Sequence, residues 1–316
     1  MGQYALRRLW QMVPVLFIVS MAVFSIIHLI PGNPAEIIAG PNATPEQVQA
    51  LEQRLGLARP IWTQYLIWLR NVLTGDLGTS YINKYPVRAL IAQRIPATVE
   101  LALASALIGV LIAFPLGILA ALRPGSIFDL ITTAFSALSF AIPSFYLLVL
   151  LILLFSLQLQ LLPPSGRPDF SENPTLYLKS ILMPALTLGI SVAAKLMRYL
   201  RSSLLEVLDQ EYVRTARAKG LHQRVVMWRH VLPNALIPVV TILGLQVGDL
   251  LSGAIIVESI YAWPGIGRLT IQAIGWRDYA LLQANVLFIV CAFLLVNLLT
   301  DLTYGLLDPR IRLDRQ

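Results

Sequence analysis

Residues 9–30, 101–122 and 279–300 each run for 22 positions without an Asp, Glu, Lys or Arg. Roughly 20 apolar residues in a helix cross about 30 Å of hydrocarbon. A fourth uncharged run, 130–166, is 37 residues long and is interrupted by prolines. Lipid offers no partner to a backbone N–H or C=O, so such runs must close their hydrogen bonds internally, as helices. Only 13% of the 316 residues are charged, against roughly 25% in a soluble domain. These features predict an all-α polytopic membrane protein and disfavour a soluble enzyme, a secreted disulfide scaffold and a nucleic-acid binder. The single cysteine, Cys291, has no intrachain partner for a disulfide.

Six spans fit the pattern, at about 9–30, 99–122, 130–157, 180–200, 235–257 and 281–304. Lys195 and Asp249 interrupt the fourth and fifth, and Pro115 and Pro143 predict kinks in the second and third. Arg7 and Arg8 before the first run imitate a signal peptide, but an h-region is about 7–15 residues. The 22-residue run ending at Ile30-Pro31-Gly32-Asn33-Pro34 therefore reads as a retained span.

Basic residues set the expected orientation. The segment 198–230 carries seven Lys/Arg against three Asp/Glu, whereas 158–179 and 258–280 each carry two of either sign. Long translocated segments such as 31–95 count little in this rule. Both termini and the 201–234 loop are thus expected in the cytoplasm. The net charge of +7 is explained as a positive-inside signature rather than as a nucleic-acid site.

Three organisational units follow: 1–30 with the first span, an external helical segment 31–98, and a five-helix core 99–316. In the external segment Thr44-Pro45-Glu46-Gln47 reads as a capping box, with Val48, Leu51 and Leu55 on one face and Gly56 as the stop. Pro60 opens a second stripe (Ile61, Tyr65, Leu69, Val72), and Val87, Leu90, Ile91 and Ile95 form a third leading into the second span. Such helices suit an interfacial scaffold, with ligand contact as the alternative.

Several chemistries lack their residues. No Gly-Lys pair exists to build a phosphate loop, and Gly265-Ile266-Gly267 is followed by Thr270 where a dinucleotide loop needs glycine. His28, His222 and His230 have no zinc-ligand spacing, and no Gly-x-Ser-x-Gly elbow occurs. Neither metal nor cofactor is expected, and work against a gradient would need a partner or an ion.

The segment 211–233 is the most informative. Glu211-Tyr212-Val213-Arg214-Thr215-Ala216-Arg217-Ala218-Lys219-Gly220 reads as a short helix with small residues, ended by a glycine able to turn left-handed. A second amphipathic helix with Val225, Val226, Trp228 and Arg229 follows, then His230-Val231-Leu232-Pro233 at the start of the next span. On residues alone, a rigid docking element and a lipid-facing basic loop both fit. The spacing resembles the EAA motif of ABC-importer permeases, Glu-Ala-Ala-x3-Gly-x9-Ile-x-Leu-Pro. Arg214, Thr215, Ala216, Gly220, His230, Leu232 and Pro233 occupy its positions, with Arg214, Thr215 and His230 departing from the consensus.

Further stretches extend the likeness over nearly the whole chain: Ile30-Pro31-Gly32-Asn33-Pro34-Ala35, Leu55-Gly56-Leu57, Gln64-Tyr65-Leu66, Gly75-Asp76-Leu77-Gly78, Trp263-Pro264-Gly265-Ile266-Gly267 and Asp308-Pro309-Arg310. The chain resembles the dipeptide/oligopeptide/nickel family of ABC-importer permeases, in particular its first permease subunit. The resemblance implies the six-helix type I importer permease fold with a long external segment. It also implies a coupling helix in which Arg214, Thr215, Ala216, Arg217 and Gly220 meet an ATPase, with His230, Leu232 and Pro233 shaping the return to the membrane. Implied partners are a second homologous permease, two cytoplasmic ATPases, an external substrate-binding protein and membrane lipid. Alternating access in the inner membrane would be driven by ATP hydrolysed elsewhere, so the chain itself is not expected to be an enzyme. Relatives carry peptides, nickel chelates, glutathione or oligosaccharides.

Ionisable groups inside a membrane are costly and default to function. Gln246, Asp249 and Gly253 share a helical face, so either they line a path for an ammonium or cation, or Asp249 is hydrogen-bonded between helices. Gly244, Gly248 and Ser252 form a small-xxx-small series suited to helix packing. Lys195 and Arg198 are expected to snorkel, Asn297 and Asp301 to make structural contacts, and Trp263, Trp276 and Tyr279 to form an aromatic belt. The rival class is a secondary transporter coupling ions through Lys195, Asp249 or Asp301.

Overall fold

The structure is a computed structural model that describes residues 2–29, 34–40 and 43–307; the side chains of Ser252 and Gly253 lie outside the description, as do Ile30 to Asn33 and Asp308 to Arg310. Its helices, in order, are α1 (Gly2–Leu29), α2 (Pro34–Ala39), α3 (Pro45–Leu55), α4 (Ile61–Leu73), α5 (Val87–Leu122), α6 (Ile127–Ala141) and α7 (Ser144–Leu151). A π-helical segment (Ile152–Gln158) prolongs α7. The chain continues as α8 (Pro174–Leu208), α9 (Glu211–Ala218), α10 (Gln223–Val225), a second π segment (Val226–Val231), α11 (Leu232–Ile260), α12 (Ile266–Gly275) and α13 (Tyr279–Leu307). Among the described residues there is no β-strand, only an isolated bridge between Thr79 and Pro86.

Among the described residues five helices are long and apolar enough to cross a membrane, or six if the bent pair formed by α6 and by α7 with its π extension counts as one. The expected third span is therefore not one kinked helix. It breaks by 101° between Ala141 and Ser144, where Pro143 lacks an amide hydrogen and holds Ile142 extended. The pair begins beside Arg201 near the end of α8, and the loop after it returns beside Tyr177 near the start of α8. Its two ends thus sit at opposite ends of that helix. Pro96 and Pro115 lie within an uninterrupted α5, which joins the third stripe of the segment 31–98 to the second expected span.

The apolar stretch of α8 is 72% buried within the chain, far more than that of any other long helix. Helix α5 runs parallel to it, pairing Ser105 and Ile108 with Gly189, Gly109 with Val192, and Gly117 with Leu200. A Cβ on Gly109 would stand 2.6 Å from Val192 Cγ1, and one on Gly189 would stand 2.9 Å from the Ser105 carbonyl oxygen. Only glycine permits that approach, the small-residue packing that helices in lipid favour. Helix α11 packs antiparallel on α8 and α13 antiparallel on α11, where Gly244 meets Thr300 and Gly248 meets Phe293. The packing role expected for those two glycines is what the structure shows.

Residues 43–98 follow their sequence signals. Thr44 Oγ1 accepts from the Gln47 amide at 3.4 Å while Gln47 Oε1 accepts from the Thr44 amide at 3.0 Å, completing the capping box. Gly56 ends α3 with φ +70°. Helix α4 lies back on α1, where Tyr65 Oη and Ser20 Oγ are 2.7 Å apart and Phe24 packs on Tyr65 and Trp68. The aromatic-belt expectation fails for two of three residues: Trp263 and Tyr279 are buried, and Trp276 is exposed. Trp263 donates Nε1–H to the Ala97 carbonyl at 2.8 Å, a partner that lets its whole ring enter the core.

Replacing Gly189 by valine is expected to overpack the α5–α8 seam at a cost of about 1–3 kcal/mol. The check is thermal unfolding of the purified chain followed by tryptophan fluorescence. Gly275→Ala, whose Cβ would meet nothing within 4 Å, should leave the midpoint in place.

Candidate functional site

Helix α9 has two faces. Val213 and Ala216 are buried in the cluster that contains Leu200 and Leu204 of α8, while Arg214, Thr215 and Arg217 are exposed. Ala216 thus seats the helix on the bundle and does not present a small surface outward, which corrects the expectation that it meets a partner directly. Arg214 NH1 lies 3.0 Å from Glu211 Oε1 on the same exposed face, and the Thr215 hydroxyl donates to the Glu211 carbonyl at 3.0 Å. Gly220 follows with φ +77°, a left-handed conformation that turns the chain sharply.

After the turn, the second π segment buries Val226, Met227 and Val231 and exposes Trp228 and Arg229. His230 is half-buried, Leu232 buried, and Pro233 exposed where the π segment gives way to α11. Ser203 Oγ donates to the Ala235 carbonyl at 2.9 Å, joining the end of α8 to the start of α11. The segment 211–233 is therefore two short helical stretches joined at the Gly220 turn and seated through apolar side chains, with its cations outward.

Within the bundle the structure brings Gln246 and Asp249 of α11 onto Lys195 of α8. Lys195 Nζ is 3.0 Å from Gln246 Oε1 and 3.4 Å from Asp249 Oδ2. Lys195 pairs across the seam rather than snorkelling, and the Arg198 guanidinium stacks over Phe140 at 5.1 Å. Gly253 lies outside the described side chains. Asp301 pairs with Arg8 at 3.2 Å, tying α13 to α1.

Sequence reasoning passed over Glu258. It is fully buried, and its carboxylate accepts from Thr98 Oγ1 at 2.8 Å and from the Arg268 amide at 3.1 Å, while Thr98 Oγ1 accepts from the Ile266 amide at 2.8 Å. A Cβ on Gly265 would overlap that carboxylate. The Gly265-Ile266-Gly267 stretch is thus a cradle in which Glu258 caps the start of α12 and fixes it to α5. The signal lay in a lone carboxylate at the end of an apolar run, followed at once by closely spaced glycines. Nearby, Arg167 grips Glu100 with two bonds of 2.9 and 3.0 Å, and Tyr177 donates to the same carboxylate at 2.7 Å. Hydrogen bonding to Glu100 pushes the Arg167 guanidinium up from its ordinary value.

The family model for the binding-protein-dependent transport system inner membrane component matches residues 113–313, and the N-terminal model of the same type of component matches residues 1–102. The chain belongs to this family of transport permeases. It is 40% identical over 330 residues, covering 98% of this chain and 99% of the relative, to the dipeptide transport system permease protein DppB of Alkalihalophilus pseudofirmus. Identity is also 40% to the DppB of Escherichia coli K12 (99% of each chain). It is 39% to the glutathione transport system permease protein GsiC of Escherichia coli O6:H1 (99% of each chain). Among solved structures, the MetNI methionine ABC transporter aligns at TM-score 0.57 and 19% identity over 71% of this chain and 98% of that one. An amino acid ABC transporter aligns at TM-score 0.52 and 18% identity, over 71% and 94%. These share the fold. The permease is a multi-pass transport component of an ABC importer and not an enzyme, working in general with ATPase and substrate-binding partners.

Gly265→Ala should force the Glu258 carboxylate out of its cradle and lower the thermal midpoint by several degrees, an overpacking cost of about 1–3 kcal/mol. Glu258→Gln, which keeps an acceptor for Thr98, should cost less than Glu258→Leu, which leaves the Thr98 hydroxyl and Arg268 amide without that acceptor. Differential scanning of the three purified variants ranks them.

Proposed function

We propose that this permease forms half of the translocation path of an ATP-driven importer for di- and oligopeptides, beside a second homologous permease. Two cytoplasmic ATPases drive the pair, and an external binding protein loads it. The observation that carries the substrate class is the end-to-end 40% identity to dipeptide permeases, the segment after the first span included. The glutathione relative at 39% makes glutathione, itself a short peptide with charged ends, the second substrate to try.

In this reading both termini and the 201–234 region face the cytoplasm, units 1–30, 31–98 and 99–316 keep the roles expected of them, and the chain is an inner-membrane protein. Arg214, Thr215, Arg217 and Gly220 meet the ATPase, whose groove wall is acidic or polar opposite the two arginines. Ala216 acts by holding α9 against the bundle, and His230, Leu232 and Pro233 fix the angle at which the element joins α11. ATP-driven closure of the ATPases draws the two coupling elements together, and the seated apolar face passes that movement to α8 and α11.

Cells lacking the permease should lose uptake of a radiolabelled dipeptide and regain it when the chain is restored. Uptake should stop on ATP depletion and survive a protonophore at constant ATP; the opposite pattern would establish ion coupling instead. Gly220→Pro removes the left-handed turn, because proline is held near φ −65°. It should leave co-purification of the ATPases measurable while lowering peptide import by at least roughly tenfold.

A further inference from the structure

Lys195 lies in the central part of α8, and Gln246 and Asp249 lie near the middle of α11. The Lys195 and Asp249 side chains are 38% and 57% exposed on the surface of this chain, whereas Gln246 behind them is buried. Charged side chains on membrane-spanning helices are costly to leave against acyl chains. The α8–α11 seam must therefore face water or protein. Arg198, one turn further along α8, is also exposed, with its guanidinium over Phe140. Two roles compete for the pair, an internal brace between α8 and α11 and a contact point for something that passes.

We propose that Lys195, Gln246 and Asp249 form a station on the wall of the translocation path, where the charged ends of a zwitterionic substrate trade places with the Lys195–Asp249 pair. This rests on the peptide reading above. The substrate ammonium takes the Asp249 carboxylate as its partner, and the substrate carboxylate takes the Lys195 ammonium. Gln246 Oε1 keeps hold of Lys195 during the exchange. Every charge swaps one partner for another, so the transit leaves none unpaired in a low-dielectric passage, where an unpaired charge is heavily penalised. The half-exposed geometry is what such an exchange requires, since a sealed pair could not be reached.

The decisive variant is Lys195→Met combined with Asp249→Leu, tested in the complete transporter. Exchanging an ion pair for apolar side chains of similar size is often neutral or stabilising when the pair is only a brace. The station predicts a complex that assembles in normal yield but imports dipeptide at least roughly tenfold more slowly; import at the parental rate overturns it. A second measurement does not depend on that variant folding. Leu245, one turn from Asp249 and 42% exposed, is replaced by cysteine in a Cys291→Ser background and treated with a charged, membrane-impermeant thiol reagent during turnover. Labelling that saturating dipeptide slows supports the station, and an unreactive or unprotected cysteine overturns it. The parental complex supplies the control: if it imports no dipeptide, the substrate reading fails and the station with it, whereas import by the parent with an unreactive Leu245→Cys defeats the station alone.

Discussion

Hydrocarbon solvates neither a bare amide nor a lone carboxylate, and most of this fold answers that fact. Backbone groups are satisfied by long helices. The helices then need another source of cohesion, because lipid tails are as apolar as leucine. Close contact supplies it. Gly109 against Val192 and Gly189 against the Ser105 backbone bring α5 and α8 together along their length, and that pair is the post on which α6, α11 and, through α11, α13 are hung. Polar side chains are placed where they join helices: Arg201 with Asp129, Arg8 with Asp301, Ser203 with the Ala235 carbonyl and Glu258 with Thr98.

The same economy explains what could be read without coordinates. The helical class and the long spans were legible because a 22-residue uncharged run admits few other structures, and the capping box at Thr44 and the stop at Gly56 are local hydrogen-bond chemistry. The 101° break was only half legible: Pro143 marks the position, but its angle depends on how α6 and α7 each pack on α8. The burial of Trp263 was not legible, because the carbonyl that satisfies its indole belongs to Ala97, far away in the sequence. Glu258 was missed for a similar reason, since its partners come from α5 and from the start of α12.

For the segment 211–233, spacing located the element and its turn, while the division of α9 into an inward and an outward face needed the bundle. Val213 and Ala216 turn to the buried cluster and to the second π segment, and the cations are left outside. In the membrane cluster, composition singled out Gln246 and Asp249. Their common partner, Lys195, sits on a helix that sequence spacing alone could not bring next to α11.

The brevity of α9 has a mechanical result. Eight residues make a rod of about 12 Å, too short to bend appreciably, and Val213 and Ala216 on its underside are buried in the core cluster. A displacement applied at its exposed side cannot be absorbed by flexing within the rod. It would pass to the buried cluster through Val213 and Ala216 as a movement of the whole rod.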